Sequence, residues 1–151
     1  MKIEEQVLSR EQMAHLVELG VDTSDASMYW IRAERMEGFR KHNLIDNDLG
    51  KWRLSLSRKL IVPAAWKVEY IPTYTIGDLI EKLPVCLNNK SYKRAIEIDG
   101  ECVRAGYYEI FSCTYPVMFK TSTEEQSVKD MLYKLLCWVA ENTYKTNKVR
   151  I

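Results

Sequence analysis

The chain has 151 residues, 46% of them hydrophobic, and its 22 basic and 21 acidic side chains leave a net charge of +1. A chain of this length buries roughly two-thirds of its unfolded surface in one domain and needs no disulfide or metal staple. The near-neutral total excludes the strong positive field that obliges a protein to bind nucleic acid or an anionic membrane, and no apolar run approaches the roughly twenty residues that cross a bilayer.

Ser9-Arg-Glu-Gln12 is the pattern of a capping box, with Leu8 placed to staple onto Met13. The helix it opens has an apolar stripe of Met13, Leu16, Val17 and Leu19, and Gly20 stands where a left-handed cap closes it. From Met28 the period becomes two: Ile31 and Ala33 alternate with Arg32 and Glu34, which predicts a strand with one wet face. Residues 36–50 break the pattern and read as a long connection.

Trp52, Leu54, Leu56, Leu60 and Val62 alternate with Arg53, Ser55, Ser57 and Lys59, and Trp66, Val68 and Tyr70 alternate with Lys67 and Glu69. Pro63-Ala-Ala between them predicts an antiparallel hairpin over 52–71. Thr75-Ile-Gly-Asp78 is a second capping box, with Tyr74 set to staple Leu79 and Pro84 to stop the helix after Leu83. A further hairpin is predicted over 92–98 and 103–113, closed at Asp99-Gly100. Its return strand carries Tyr107, Phe111 and Cys113 on one face and Tyr108 and Ile110 on the other, so both faces call for cover.

A short strand over Val117–Lys120 leads to the strongest periodic signal in the chain. Val128, Met131, Leu132, Leu135, Leu136, Val139 and Ala140 recur at helical spacing, which predicts a helix from about 124 to 143 whose start lies at Ser122, Thr123 or Ser127. The order of elements defines an α+β fold: a single domain in which an antiparallel sheet of about five to six strands packs against two short helices and one long C-terminal helix.

Three stretches carry a resemblance: Leu8-Ser-Arg-Glu-Gln-Met-Ala-His-Leu-Val-Glu-Leu-Gly-Val-Asp-Thr-Ser24, Ile71-Pro-Thr-Tyr-Thr-Ile-Gly-Asp-Leu-Ile-Glu-Lys-Leu-Pro84 and Met131-Leu-Tyr-Lys-Leu-Leu-Cys-Trp-Val-Ala-Glu-Asn-Thr-Tyr144. Together they resemble a group of uncharacterised small proteins of Bacteroides-type bacteria and their phages or mobile elements. The resemblance implies a bacterial or mobile-element setting and brings no activity with it. Members of that group tend to have glycine after the Glu-Asn pair, where this chain has Thr143.

Chemical motifs are scarce. His15 and His42 are the only histidines, so a metal site or a histidine-based triad has to use one of them. Both read as surface or satisfied polar groups. Cys137, beside Trp138 in an apolar helical segment, reads as a small buried hydrophobe with a raised pKa. Asp46-Asn-Asp-Leu-Gly50 fails as a calcium loop, because Ser57 stands where the bidentate glutamate belongs and the glycine comes one residue early. No glycine-rich phosphate loop, H-E-x-x-H or G-x-S-x-G is present. No catalytic residue, metal ligand or cofactor is therefore assigned, although Glu69, Glu97 and Glu109 on predicted strands leave a motif-free carboxylate enzyme as a third reading.

The four cysteines form no C-x-x-C pair, and Met1-Lys-Ile-Glu-Glu-Gln-Val lacks the basic flank and apolar run of a signal peptide. Both features predict a soluble cytoplasmic protein with reduced thiols. Residues 1–30 hold six acids against two bases and residues 31–70 nine bases against five acids. Within the second segment Arg32, Arg53, Lys59 and Lys67, with Trp30 and Trp52 nearby, form a candidate basic and aromatic face for single-stranded nucleic acid. The leading expectation is instead a non-enzymatic interaction module whose partner is another protein or a second copy, with Tyr107 and Tyr108 as aromatic anchors.

Overall fold

The computed structural model describes residues 2–35, 50–56, 66–87, 92–109, 117–124 and 126–146. After a single 3-10 turn at Ile3–Gln6, helix α1 (Arg10–Glu18) begins at the capping box that the sequence predicts. Ser9 Oγ accepts from the Gln12 N–H at 3.1 Å, and Gln12 Oε1 accepts from the Ser9 N–H at 3.0 Å. The helix ends in a Schellman motif: Val21 N–H donates to Leu16 O and Gly20 N–H to Val17 O, with Gly20 at φ +87°.

Strands β1 (Met28–Arg35), β2 (Arg53–Ser55) and β3 (Trp66–Thr73) form one antiparallel sheet in the order β2-β1-β3. Helix α2 (Ile76–Lys82) follows, capped by Thr75 and Asp78 as predicted. Strands β4 (Cys86–Leu87), β5 (Tyr92–Asp99), β6 (Cys102–Glu109) and β7 (Val117–Ser122) form a second antiparallel sheet in chain order. Helix α3 (Val128–Thr146) closes the chain. Ser127, the last of the three predicted starts, is its cap, with Oγ accepting from the Asp130 N–H at 3.2 Å. The helix runs on through Thr143 to Thr146.

The α+β class and the antiparallel pairing follow the sequence, but two expectations change. The strands divide into two sheets of three and four rather than one of five to six. The hairpin over 52–71 does not form in the described residues, because β1 lies between β2 and β3 and pairs with both. Ile31 and Ala33 on one face of β1 are buried, and Met28 is buried at the start of the other, whose Glu34 is exposed.

The main core gathers around α3. Met131, Leu132, Leu135, Leu136, Val139 and Ala140 are buried against Leu8, Met13 and Leu16 of the α1 region, Leu79 and Leu83 of the α2 region, and Ala105 and Tyr107 of β6. Helix α3 thus covers one face of the second sheet, and the other helices seal its sides. No helix among the described residues is long and apolar enough to cross a membrane.

Candidate functional site

The predicted basic face divides across the first sheet. Arg32 pairs with Glu69 across the ladder, its Nη2 donating to Glu69 Oε1 at 3.0 Å, and its Nε lies 3.5 Å from Glu34 Oε1. The hydrogen bond to Glu69, with the two carboxylate charges, holds the guanidinium more firmly in its charged form. Lys67 stands opposite Glu34 on that same face. Arg53 is instead the cross-strand partner of Ile31, which pairs with Tyr70, and so belongs to the opposite face. Lys59 lies outside the described residues.

The aromatic half of that face is also occupied from within. The guanidinium carbons of Arg10 and Arg32 lie 4.6 Å and 4.9 Å from the Trp52 ring centroid, which takes up ring surface that a base needs for stacking. Trp30 Nε1 donates to Leu8 O at 3.0 Å and ties the sheet to the start of α1. A recess of about 210 Å³ lined by Ile31, Arg53, Leu54 and Ser55 is present on this sheet, below the ordinary size of a ligand pocket.

The two tyrosines part company as well. Tyr107 is fully buried, its hydroxyl donates to Pro84 O at 2.6 Å, and its ring stacks on Trp138 at 6.0 Å. It is a core residue and not an interface anchor, and burial pushes its phenol well above the ordinary range. Tyr108 is half-buried on the opposite face, directly across from Lys93 and within the fields of Glu97 and Arg104. That second face of β6, predicted to be apolar, is therefore lined by charges in the described part.

The structure brings together three groups that sequence reasoning kept apart. His15 Nδ1 lies 2.6 Å from Tyr133 Oη and 3.7 Å from Cys137 Sγ, in the seam between α1 and α3. Burial pushes the Cys137 thiol up to about 11, and the hydrogen bond to Tyr133 only partly offsets it. A thiol in that state is a packing group and not a nucleophile. The spacing of Tyr133 and Cys137, one helical turn apart, was the available signal.

A second polar cluster fixes the loop after α1. Tyr74 Oη shares its one proton between Asp25 Oδ1 at 2.7 Å and Asp22 O at 2.8 Å, while Lys82 Nζ donates to Asp25 Oδ2 at 3.0 Å. Each of these groups is consumed by another in the cluster. The carboxylates weighed for catalysis do not converge: Glu69 belongs to the first sheet, and Glu97 and Glu109 fall on opposite faces of β5–β6. Among the described residues no three His, Cys, Asp or Glu side chains stand close enough to share a metal.

The feature the sequence did not disclose is at the outer half of the β5–β6 hairpin. Gly100, at φ +61°, and Glu101 make a two-residue turn between Asp99 and Cys102, with glycine at the first central position as a type II′ turn requires. Ile96 and Ile98 are on the helix-covered face of the sheet by register, opposite Ala105 and Val103. Neither belongs to the core gathered around α3. Ile96 is 40% exposed and Ile98 79% exposed. Both stand in solvent although the register puts them on the face that carries the buried Ala105.

No protein-family model matches this chain, and no characterised protein or solved structure shows significant similarity to it.

Proposed function

We propose that this protein is an interaction module without catalytic chemistry of its own, working in the cytoplasm of a bacterial or mobile-element system, and that it meets a protein partner through the outer half of the β5–β6 hairpin. The observation that carries this reading is the pair Ile96 and Ile98. Two exposed isoleucines one dipeptide apart, on the half of β5 that β4 leaves unpaired among the described residues, are what an isolated domain avoids, since they invite another chain to pair there. Several polar groups are, by contrast, paired within the chain: Arg32 with Glu69, Tyr74 with Asp25, and Tyr133 with His15.

A photo-crosslinking residue tests the reading. Benzoylphenylalanine at position 98 is expected to give a defined protein adduct, with the chain itself or with another protein, in cells that express it. The same group in place of Val17, an exposed apolar residue of α1, is expected to give several-fold less, and Ile96→Asn is expected to abolish the adduct at 98. Equal yields at the two positions would remove the proposal.

A further inference from the structure

We infer that the outward side of β5 at Ile96 and Ile98, unpaired among the described residues, accepts an extended peptide strand in which apolar residues alternate with basic ones. This rests on the interaction-module reading and names the chemistry of its partner. The backbone comes first. A two-residue turn makes Asp99 and Cys102 the terminal hydrogen-bonded pair of the hairpin, so odd-numbered residues of β5 turn their N–H and C=O groups toward β6 and even-numbered ones turn theirs outward. Arg94 fits this parity: its N–H donates outward, to Val85 O at 2.8 Å. Ile96 and Ile98 are the next two outward residues, and no described residue bonds to their backbone groups on that side. The strand β4 covers the edge only as far as Arg94, since it pairs with Tyr92 and Lys93.

Charge then selects the occupant. Glu97 lies between the two isoleucines on the opposite face and is exposed, as is Glu101 in the turn. Glu124 is a third exposed carboxylate, 3.9 Å from Arg104. Of these, Glu97 and Glu101 belong to the hairpin itself, and Arg104 stands across the ladder from Glu97. A strand laid along it sets two side chains beside Ile96 and Ile98 and the one between them beside Glu97, so the complementary pattern is apolar-basic-apolar. A second copy fits poorly: antiparallel self-pairing that uses both isoleucines places Glu97 against Glu97.

The test is fluorescence anisotropy on the full chain with a labelled acetyl-Val-Lys-Val-Lys-Val amide. Saturable binding is expected that weakens as salt rises. An analogue with glutamate for lysine, and one with N-methylated valines that cannot form strand hydrogen bonds, are each expected to bind about tenfold more weakly or worse. In the protein, Glu97→Gln is expected to weaken binding several-fold. Ile98→Pro is expected to abolish it while leaving the circular dichroism spectrum intact, because the N–H it removes points away from β6. Amide shifts on binding should centre on Ile96 and Ile98. Absence of binding, equal binding of the N-methylated peptide, or shifts mapping to another surface would each overturn the inference. If crosslinks at position 98 persist in that case, the module reading stands with a partner of different chemistry; if they too are missing, both fall.

Discussion

Leu132 and Leu135 were expected in the core from spacing alone, and both are fully buried on α3. Truncating either to alanine removes atoms from a packed site that cannot fully collapse, so each change is expected to lower unfolding free energy by about 2–5 kcal/mol in a denaturant titration. Tyr107 gives the sharper contrast, because its parity suited either a core or an interface. With its ring against Trp138 and its hydroxyl on Pro84 O, Tyr107→Phe is expected to cost about 1 kcal/mol for the lost hydrogen bond. Tyr107→Glu buries an unpaired charge and is expected to unfold the chain, seen as loss of its cooperative thermal transition. A variant that stayed folded and merely changed oligomeric state would return Tyr107 to the surface.

Helix α2 has only seven residues and cannot sustain itself by backbone hydrogen bonding. Its two ends are held from different distances along the chain. Thr75 and Asp78 cap the start locally, whereas Arg94 Nη1 reaches from β5 to Ile80 O at 2.7 Å and Leu83 O at 2.9 Å at the end. Thr75→Ala is expected to cost about 1 kcal/mol, and Arg94→Met is expected to raise amide exchange through the last turn of α2. The first of these was legible, since a capping box is a four-residue pattern. The second was not, because no local signal says that a strand arginine will find two orphan carbonyls eleven and fourteen residues earlier.

At the scale of the whole molecule, buried proton donors tie stability to alkaline pH. Burial, reinforced for Tyr74 by Asp25 and for Tyr133 by Cys137, raises the phenols of Tyr74, Tyr107 and Tyr133 above their ordinary value, and the Cys137 thiol rises to about 11. The folded chain therefore holds protons that the unfolded chain releases. The sign is fixed: this contribution is fully present below about pH 8 and is lost as pH rises through the raised values. Unfolding free energy is expected to fall from about pH 9 upward, with tyrosinate absorbance from these three residues emerging only with unfolding. Early, independent titration of all nine tyrosines would contradict their burial. At the acid end Asp25 acts in the opposite sense. Its burial is outweighed by hydrogen bonds from Tyr74 and Lys82, its pKa is lowered, and the stability it contributes is lost as pH falls through that value.

Read by itself, the sequence determined what short-range physics controls. The caps at Ser9 and Thr75, the turn at Gly100, the buried stripe of α3 and the α+β class all arise from neighbours within a few residues, where hydrogen-bond geometry and side-chain period leave little choice. Tertiary structure alone decided which strands became neighbours and which apolar residues stayed wet. Inserting β1 between β2 and β3 depended on pairings across tens of residues that no local pattern announces. The seam of His15, Tyr133 and Cys137 depended on two helices meeting across more than a hundred residues. Ile96 and Ile98 share a face with Ala105 and Tyr107, yet those two join the core of α3 while the isoleucines remain exposed, an outcome that no local pattern decides.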